Sequence, residues 1–235
     1  MVMIKRFIIL LLLICVVISC YFIIINKHKE YKYIELNKQY INITIDNNNN
    51  KELLSKYRTV FNNDEIVGEI KIDNSDFSML FAKGSDNEFY LTHLINKERN
   101  NLGASFLDYR CDIDNSKKVN VYGHNNGNIG VSFNYIMNYK NKEFYNNHRK
   151  IIIRSENKDY IYEIFSVQIV DSNYMHMRVN FNDDKEWFSY ISNVLDNSLY
   201  KEEIDIKSIN KVLTLQTCTN RVDWEFLLVN ARLVE

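Results

Sequence analysis

Two side chains of this sequence could carry covalent chemistry together, the thiol of Cys218 and the imidazole of His124. His124 lies near the end of the stretch Lys118 to Asn126, KVNVYGHNN, and Cys218 lies 94 positions later in Lys211 to Thr219, KVLTLQTCT. Each stretch opens as an alternating run rich in Val, Leu and Thr, which reads as a strand with a reactive side chain at its end. A sheet that pairs the two strands sets a nucleophile beside its proton partner. Cys111 and Cys218 are the two thiols beyond the N-terminal apolar segment, so plain burial or a bridge between them would also account for both. Polar Thr219, Asn220 and Arg221 follow Cys218 and suit a free thiol at a sheet's rim, whereas Cys111 sits in a polar turn and reads as a bystander.

The positioning elements are mainly short strands. Candidates are Ile66 to Ile72, Phe77 to Ala82, Ser105 to Tyr109, Val119 to Tyr122, Ile151 to Arg154, Tyr160 to Val170, Val212 to Cys218 and Phe226 to Val234. Eight strands with few helices predict a mainly β fold, a closed or nearly closed barrel. Helical periodicity interrupts it at Val131 to Tyr145, with Phe133, Ile136, Met137 and Phe144 in phase. It does so again at Lys185 to Tyr200, with Phe188, Ile191, Leu195 and Leu199 in phase. Both stripes are expected to face the core.

Ahead of these strands, residues 7–25 hold no charge, and 19 residues at about 1.5 Å each approach the roughly 30 Å hydrocarbon thickness. This segment predicts a transmembrane helix that stays attached. Its rivals are a cleaved signal peptide and a lipoprotein signal ending at Cys20, after which the sequence remains apolar to Ile25. Lys5 and Arg6 precede the span and Lys27, Lys29 and Lys32 follow it, so flanking charge does not fix orientation. The expected organisation is an anchor over residues 1–26, a stalk and helical segment over 27–63 interrupted by the DNNNN run at 46–50, and the barrel over 64–235.

Composition excludes several classes. With 46% hydrophobic residues over 235 positions the chain can bury a core, and 29 Lys and Arg against 30 Asp and Glu give a net charge of −1, with no call for nucleic acid. His28, His93, His148 and His176 have no CxxC, HxxH or acidic cluster at ligand spacing, so neither metal nor cofactor is expected. Asp112 and Asp114 read as turn residues rather than a calcium loop.

Val121-Tyr122-Gly123-His124-Asn125 followed by a helix with Phe133, together with Leu213-Thr214-Leu215-Gln216-Thr217-Cys218-Thr219, resembles the sortases, the class B sortases in particular. Gly68-Glu69-Ile70, the stretch Gly103 to Arg110 and the long insertion before the Cys strand agree, so the resemblance spans residues 65–235. It implies an eight-stranded sortase-type β-barrel with peripheral helices, held on the outer face of a Gram-positive-type cell membrane. It also implies a cysteine transpeptidase that cuts a C-terminal sorting motif of a secreted protein after Thr and joins the new end to an amine of the peptidoglycan precursor. Cys218 would attack, His124 would move the proton, and Asn125, Thr217 and Thr219 would line the substrate cleft, with the Thr219 N–H facing the oxyanion. Alternatives are an impaired relative that only binds sorting peptides, and a thiol hydrolase of the same geometry.

The sequence departs from the family at one place. Class B sortases carry an Arg about eight to ten residues after the Cys, and those positions here are Phe226, Leu227 and Leu228. Arg232 lies about 20 Å further along the strand at about 3.3 Å per residue. Arg221 in the connecting loop is the foremost substitute, ahead of Arg178 and Arg110. An absent oxyanion donor costs about 100- to 1000-fold in rate.

Overall fold

Alternation of apolar and polar residues along the eight short segments pairs them into one barrel, seen in a computed structural model. The structure describes all residues except 1, 42, 44–48, 128, 130, 131, 222 and 223. The strands are β1 (Ile66–Ile72), β2 (Ser78–Ala82), β3 (Ser105–Leu107), β4 (Lys118–Tyr122), β5 (Lys150–Arg154), β6 (Asp159–Val170), β7 (Val212–Cys218) and β8 (Phe226–Leu233). They close in the order β1-β2-β3-β4-β7-β8-β6-β5, with β5 back against β1. Two pairs are parallel, β2 with β3 and β4 with β7. Val119 and Val121, Leu213 and Leu215, and Leu227, Val229 and Ala231 fill the interior.

The opposite face of the sheet around β7 is covered as well. Helix α4 (Asp184–Asp196) lays Trp187, Tyr190, Ile191 and Val194 against Phe165 and Val212. The segment leading into it passes over β4 and β8, with a 3-10 turn at Met175–Met177. Every residue of β7 except Cys218 is therefore buried, the polar ones included.

Helix α1 (Val2–Ile41) is uninterrupted, so the expected division at residues 26/27 falls inside one helix. Its first part is solvent-exposed, apolar and long enough to be a candidate membrane span. Its second part docks on the barrel domain. Lys32 pairs with Glu98 at 2.8 Å, the Asn100 amide donates to the Lys29 carbonyl at 3.0 Å, and Tyr40 bonds Glu69 and Ser78. Helix α2 (Asn50–Phe61) starts where Asn49 Oδ1 accepts the Lys51 and Glu52 N–H groups. The rest of the asparagine run, 46–48, lies outside the described residues.

Two helical expectations are corrected. Val131 to Tyr145 is not one helix, and Val131 itself lies outside the described residues. A 3-10 stretch (Phe133–Lys140) gives way to α3 (Lys142–Asn147) because Asn141 turns extended and caps α3 through Glu143 N and Phe144 N. Phe133 and Ile136 are buried as expected, while Met137 and Phe144 are only partly buried. In α4 the fully buried stripe is Trp187, Tyr190, Ile191 and Val194, with Phe188 and Leu195 at its flank and Leu199 exposed beyond the helix end. The Trp187 indole N–H donates to the Ile209 carbonyl at 2.7 Å.

Leu54 of α2 is fully buried in one cluster with Ile66 and Leu80. Leu54→Ala is expected to lower the unfolding free energy by about 2–5 kcal/mol, read from the denaturant midpoint of the full chain in micelles.

Candidate active site

The parallel register of β4 and β7, Lys118 with Val212 through Tyr122 with Gln216, carries both reactive residues out of the same end of the sheet. Beyond it the two chain ends stay tied. Gly123 N–H donates to the Gln216 carbonyl at 3.2 Å, Thr217 Oγ1 to the Gly123 carbonyl at 2.8 Å, Asn125 Nδ2 to the Cys218 carbonyl at 2.9 Å and Asn220 Nδ2 to the Asn125 carbonyl at 2.8 Å. Thus Asn125 and Thr217, both expected in the cleft, are cross-links between the His and Cys segments, and of the two Thr217 is a lining residue of the cavity around Cys218.

His124 Nε2 lies 2.8 Å from the Leu91 carbonyl, which can only accept, so Nε2 carries the proton and Nδ1 is left for proton traffic. The ring rests on Gly103. A Cβ there would stand 2.7 Å from His124 Cδ2 and 2.6 Å from the Tyr90 carbonyl oxygen, and φ is +62°. Gly123 is required for a different reason, since a Cβ would meet Phe133 Cγ at 2.4 Å. Outside this shell, Asn126 donates to the Leu102 carbonyl at 2.9 Å and meets the Tyr33 hydroxyl of α1. Helix α1 thereby touches the His124 loop.

Cys218 and His124 both line a cavity of about 480 Å³, together with Leu91, Phe106, Tyr122, His176, Met177, Gln216, Trp224 and Phe226. Its wall is mostly apolar, and the described residues that line it include no Lys, Arg, Asp or Glu. Burial among these groups pushes the Cys218 thiol above its ordinary pKa. No Lys or Arg is among the described lining residues to favour the thiolate, which leaves that task to a protonated imidazole.

The donors expected at the oxyanion are engaged elsewhere. Thr219 N–H donates to the Glu225 carbonyl at 2.9 Å, and its hydroxyl donates to Glu225 Oε1 at 2.6 Å, because the turn after β7 closes on Glu225. Arg221 does not reach back to the thiol. Its guanidinium lies in solvent, paired with the Glu225 carboxylate at 2.5 Å. Arg110 is held by Asp108 at 2.7 Å, Arg178 by Glu186 at 2.5 Å and Arg232 by Glu163 at 2.6 Å. Phe226 stands directly opposite Cys218 in the β7–β8 register.

His176 is what sequence reasoning missed. It is 3% exposed, faces Phe226 with ring centres 5.1 Å apart, and its carbonyl accepts from Lys118 Nζ at 2.7 Å and Asn120 Nδ2 at 3.2 Å. Burial, then the Lys118 charge, hold its imidazole below the usual range against a weaker pull from the Tyr174 backbone. No local motif signals it, since its position depends on a segment folding back over the sheet. Cys111 is buried and its thiol donates to the Lys118 carbonyl at 3.3 Å, in keeping with packing. Asp112 caps its own turn through the Asp114 and Asn115 N–H groups, and Lys211 Nζ reaches the Ile113 and Asp114 carbonyls.

A closed eight-stranded barrel with a thiol and an imidazole at the rim of one cleft is the architecture of a cysteine transpeptidase. The Sortase domain model matches residues 70–234, and the chain belongs to the sortase family, as a class B sortase-type cysteine transpeptidase. It is 25% identical over 202 residues to sortase B of Listeria monocytogenes, covering 85% of this chain and 82% of that protein. It is also 25% identical over 157 residues to sortase B of Staphylococcus aureus, covering 66% of this chain and 64% of the relative. The structure of Clostridium perfringens sortase B superposes with a TM-score of 0.69 at 26% identity, over 77% of this chain and all of that one.

The raised thiol pKa has a direct consequence. Alkylation of Cys218 by iodoacetamide, followed by peptide mass, is expected to keep accelerating with pH through and beyond the ~8.5 of a free thiol. A plateau by pH 7 would instead show a thiolate held by a protonated imidazole of the cavity wall.

Proposed function

We propose that Cys218 is the nucleophile and His124 the proton carrier of a membrane-anchored transpeptidase acting on a C-terminal sorting motif. The thiol gives its proton to His124 Nδ1, the thiolate adds to the carbonyl of the motif's Thr, the C–N bond breaks, and the imidazolium returns that proton to the departing amine. An amine of a peptidoglycan precursor then attacks the thioester, loses its proton to His124 and releases the thiol. The observation that carries this reading is the shared cavity at the end of the parallel β4–β7 pair. The apolar part of α1 is read as the single membrane span, with the barrel domain outside the cell.

A second reading rests on Phe226 beside Cys218. With Arg221 turned to Glu225, the cleft would hold sorting peptides with little turnover. A hydrolase of the same geometry would pass the acyl group to water.

The test is intact mass of the full chain in detergent micelles, incubated with peptides of the NPxTN, LPxTG and PPxTG kinds, beside Cys218→Ala. An acyl adduct on the native chain alone, discharged faster by an added amine, is the expected result. Discharge indifferent to the amine would indicate the hydrolase, and bound peptide without an adduct would overturn the enzyme reading. His124→Ala is expected to slow acylation by about 100-fold or more. Arg221→Ala is expected to change it by less than about threefold, since its ion pair is exposed and faces away.

A further inference from the structure

Among the described residues four buried side-chain polar atoms lack a hydrogen-bond partner: Asn120 Oδ1, Tyr162 Oη, His176 Nδ1 and Gln216 Oε1. Three of them cluster at one place. Gln216 and His176 line the cavity that holds Cys218 and His124, and Asn120 lies directly behind, donating to the His176 carbonyl. A buried polar atom without a partner costs about 1–3 kcal/mol, and a hydrophobic side chain of the same shape would avoid that cost.

The neighbours show that the wall is not simply tolerant of polar groups. One step back along the same face of β7, Thr214 Oγ1 bonds Asn230 Oδ1 at 2.8 Å. Asn230 Nδ2 in turn bonds Gln168 Oε1 at 3.0 Å, and Gln168 Nε2 bonds the Tyr174 hydroxyl at 2.9 Å. Along this chain of residues every side-chain amide and hydroxyl is paired, whereas Gln216 Oε1, at the cavity, is not. Gln216 is two residues before Cys218 and so shares its face of the strand. Its terminal torsion is soft, so a small rotation offers either the carbonyl oxygen or the amide N–H to an occupant of the cavity.

We infer that Gln216 is a specificity-determining residue that hydrogen-bonds an uncharged amide of the acyl-donor peptide, on the wall it shares with His176. An amide is the natural complement, because it offers a donor and an acceptor to a group that holds both. A carboxylate or ammonium would enter an apolar wall with no Lys, Arg, Asp or Glu among the described lining residues. The amide can belong to a side chain or to the peptide backbone. The inference rests on the reading of Cys218 as the thiol that is acylated.

The experiment uses the full chain in micelles and the peptide that loads Cys218. Two series of analogues are made, one replacing each side-chain amide by its apolar isostere (Asn by Leu, Gln by Met), the other replacing each backbone amide in turn by an ester. Acylation kcat/KM is measured for parent and analogues with the native chain and with Gln216→Met. One analogue is expected to fall about 10-fold with the native chain, mainly in KM, as for loss of one hydrogen bond. With Gln216→Met the parent-to-analogue ratio for that analogue should collapse towards one, and the series in which it occurs identifies the source of the amide. Any misfolded fraction of the variant cancels in the ratio. Ratios unchanged by Gln216→Met for every analogue would overturn the inference while leaving the transpeptidase reading intact. No acylation of Cys218 by any peptide would overturn both.

Discussion

The parallel pairing of β4 with β7 is the constraint on which the site depends. Parallel neighbours cannot be joined by a tight turn, so the chain needs a long crossover between them, and β5, β6 and the helices around α4 occupy it. In return both strands end at the same rim, and the residues that leave them, His124 and Cys218, emerge together. An antiparallel pairing of the same two strands would send them to opposite ends. Register matters as much as direction, because a slip of one residue in β7 would turn Cys218 towards the barrel interior and Thr217 towards the cleft.

The second constraint follows from covering this sheet on both sides. Barrel interiors take the apolar half of each strand, and the outer half would ordinarily face water. Here the segment before α4 lies over it, so Lys118, Asn120, Thr214, Gln168 and Asn230 are buried and must find partners within the protein. Lys118 shows how tight this is. Its ammonium is fully enclosed, donates to the His176 and Arg178 carbonyls at 2.7 and 2.8 Å and lies over the Tyr190 ring. Burial brings its pKa down to about 7. These bonds fasten the covering segment to the strand that carries His124, so the cleft wall and the imidazole share one frame.

What was legible in the sequence was what local pattern encodes. The eight strands were readable within one or two residues because β-branched alternation is a short-range signal, and the Cys and His segments declared themselves by a motif. The helices were read less well. Asn141 looks neutral within a helical stripe, yet its side chain prefers the cap of α3 and divides the segment in two. The fates of Thr219 and Arg221 were out of reach because both are decided by Glu225, whose position depends on how the turn after β7 closes. His176 and Gln216 were hidden for a related reason. The sequence shows them as a loop residue and a strand polar residue, and only the fold places them on one cavity wall.

Phe226 beside Cys218 replaces a fixed charge by an apolar surface, and the two consequences differ in size. Burial raises the thiol pKa and no Lys or Arg among the described lining residues offsets it, and a thiol that is tenfold less acidic has about a tenfold smaller thiolate fraction at neutral pH. The same tenfold loss of acidity makes the thiolate about threefold more nucleophilic, for a Brønsted coefficient of about 0.4–0.5. The net loss is therefore only about threefold to fourfold for each tenfold loss of acidity. Losing a donor to the oxyanion costs about 100- to 1000-fold, because that charge develops only in the transition state and nothing compensates it. The absent guanidinium thus bears on turnover through the oxyanion far more than through the thiol. Any group that restores catalysis must reach the carbonyl oxygen of the bound peptide, and with no Lys or Arg among the described lining residues an N–H held in place by the fold or brought by the substrate is the group that fits.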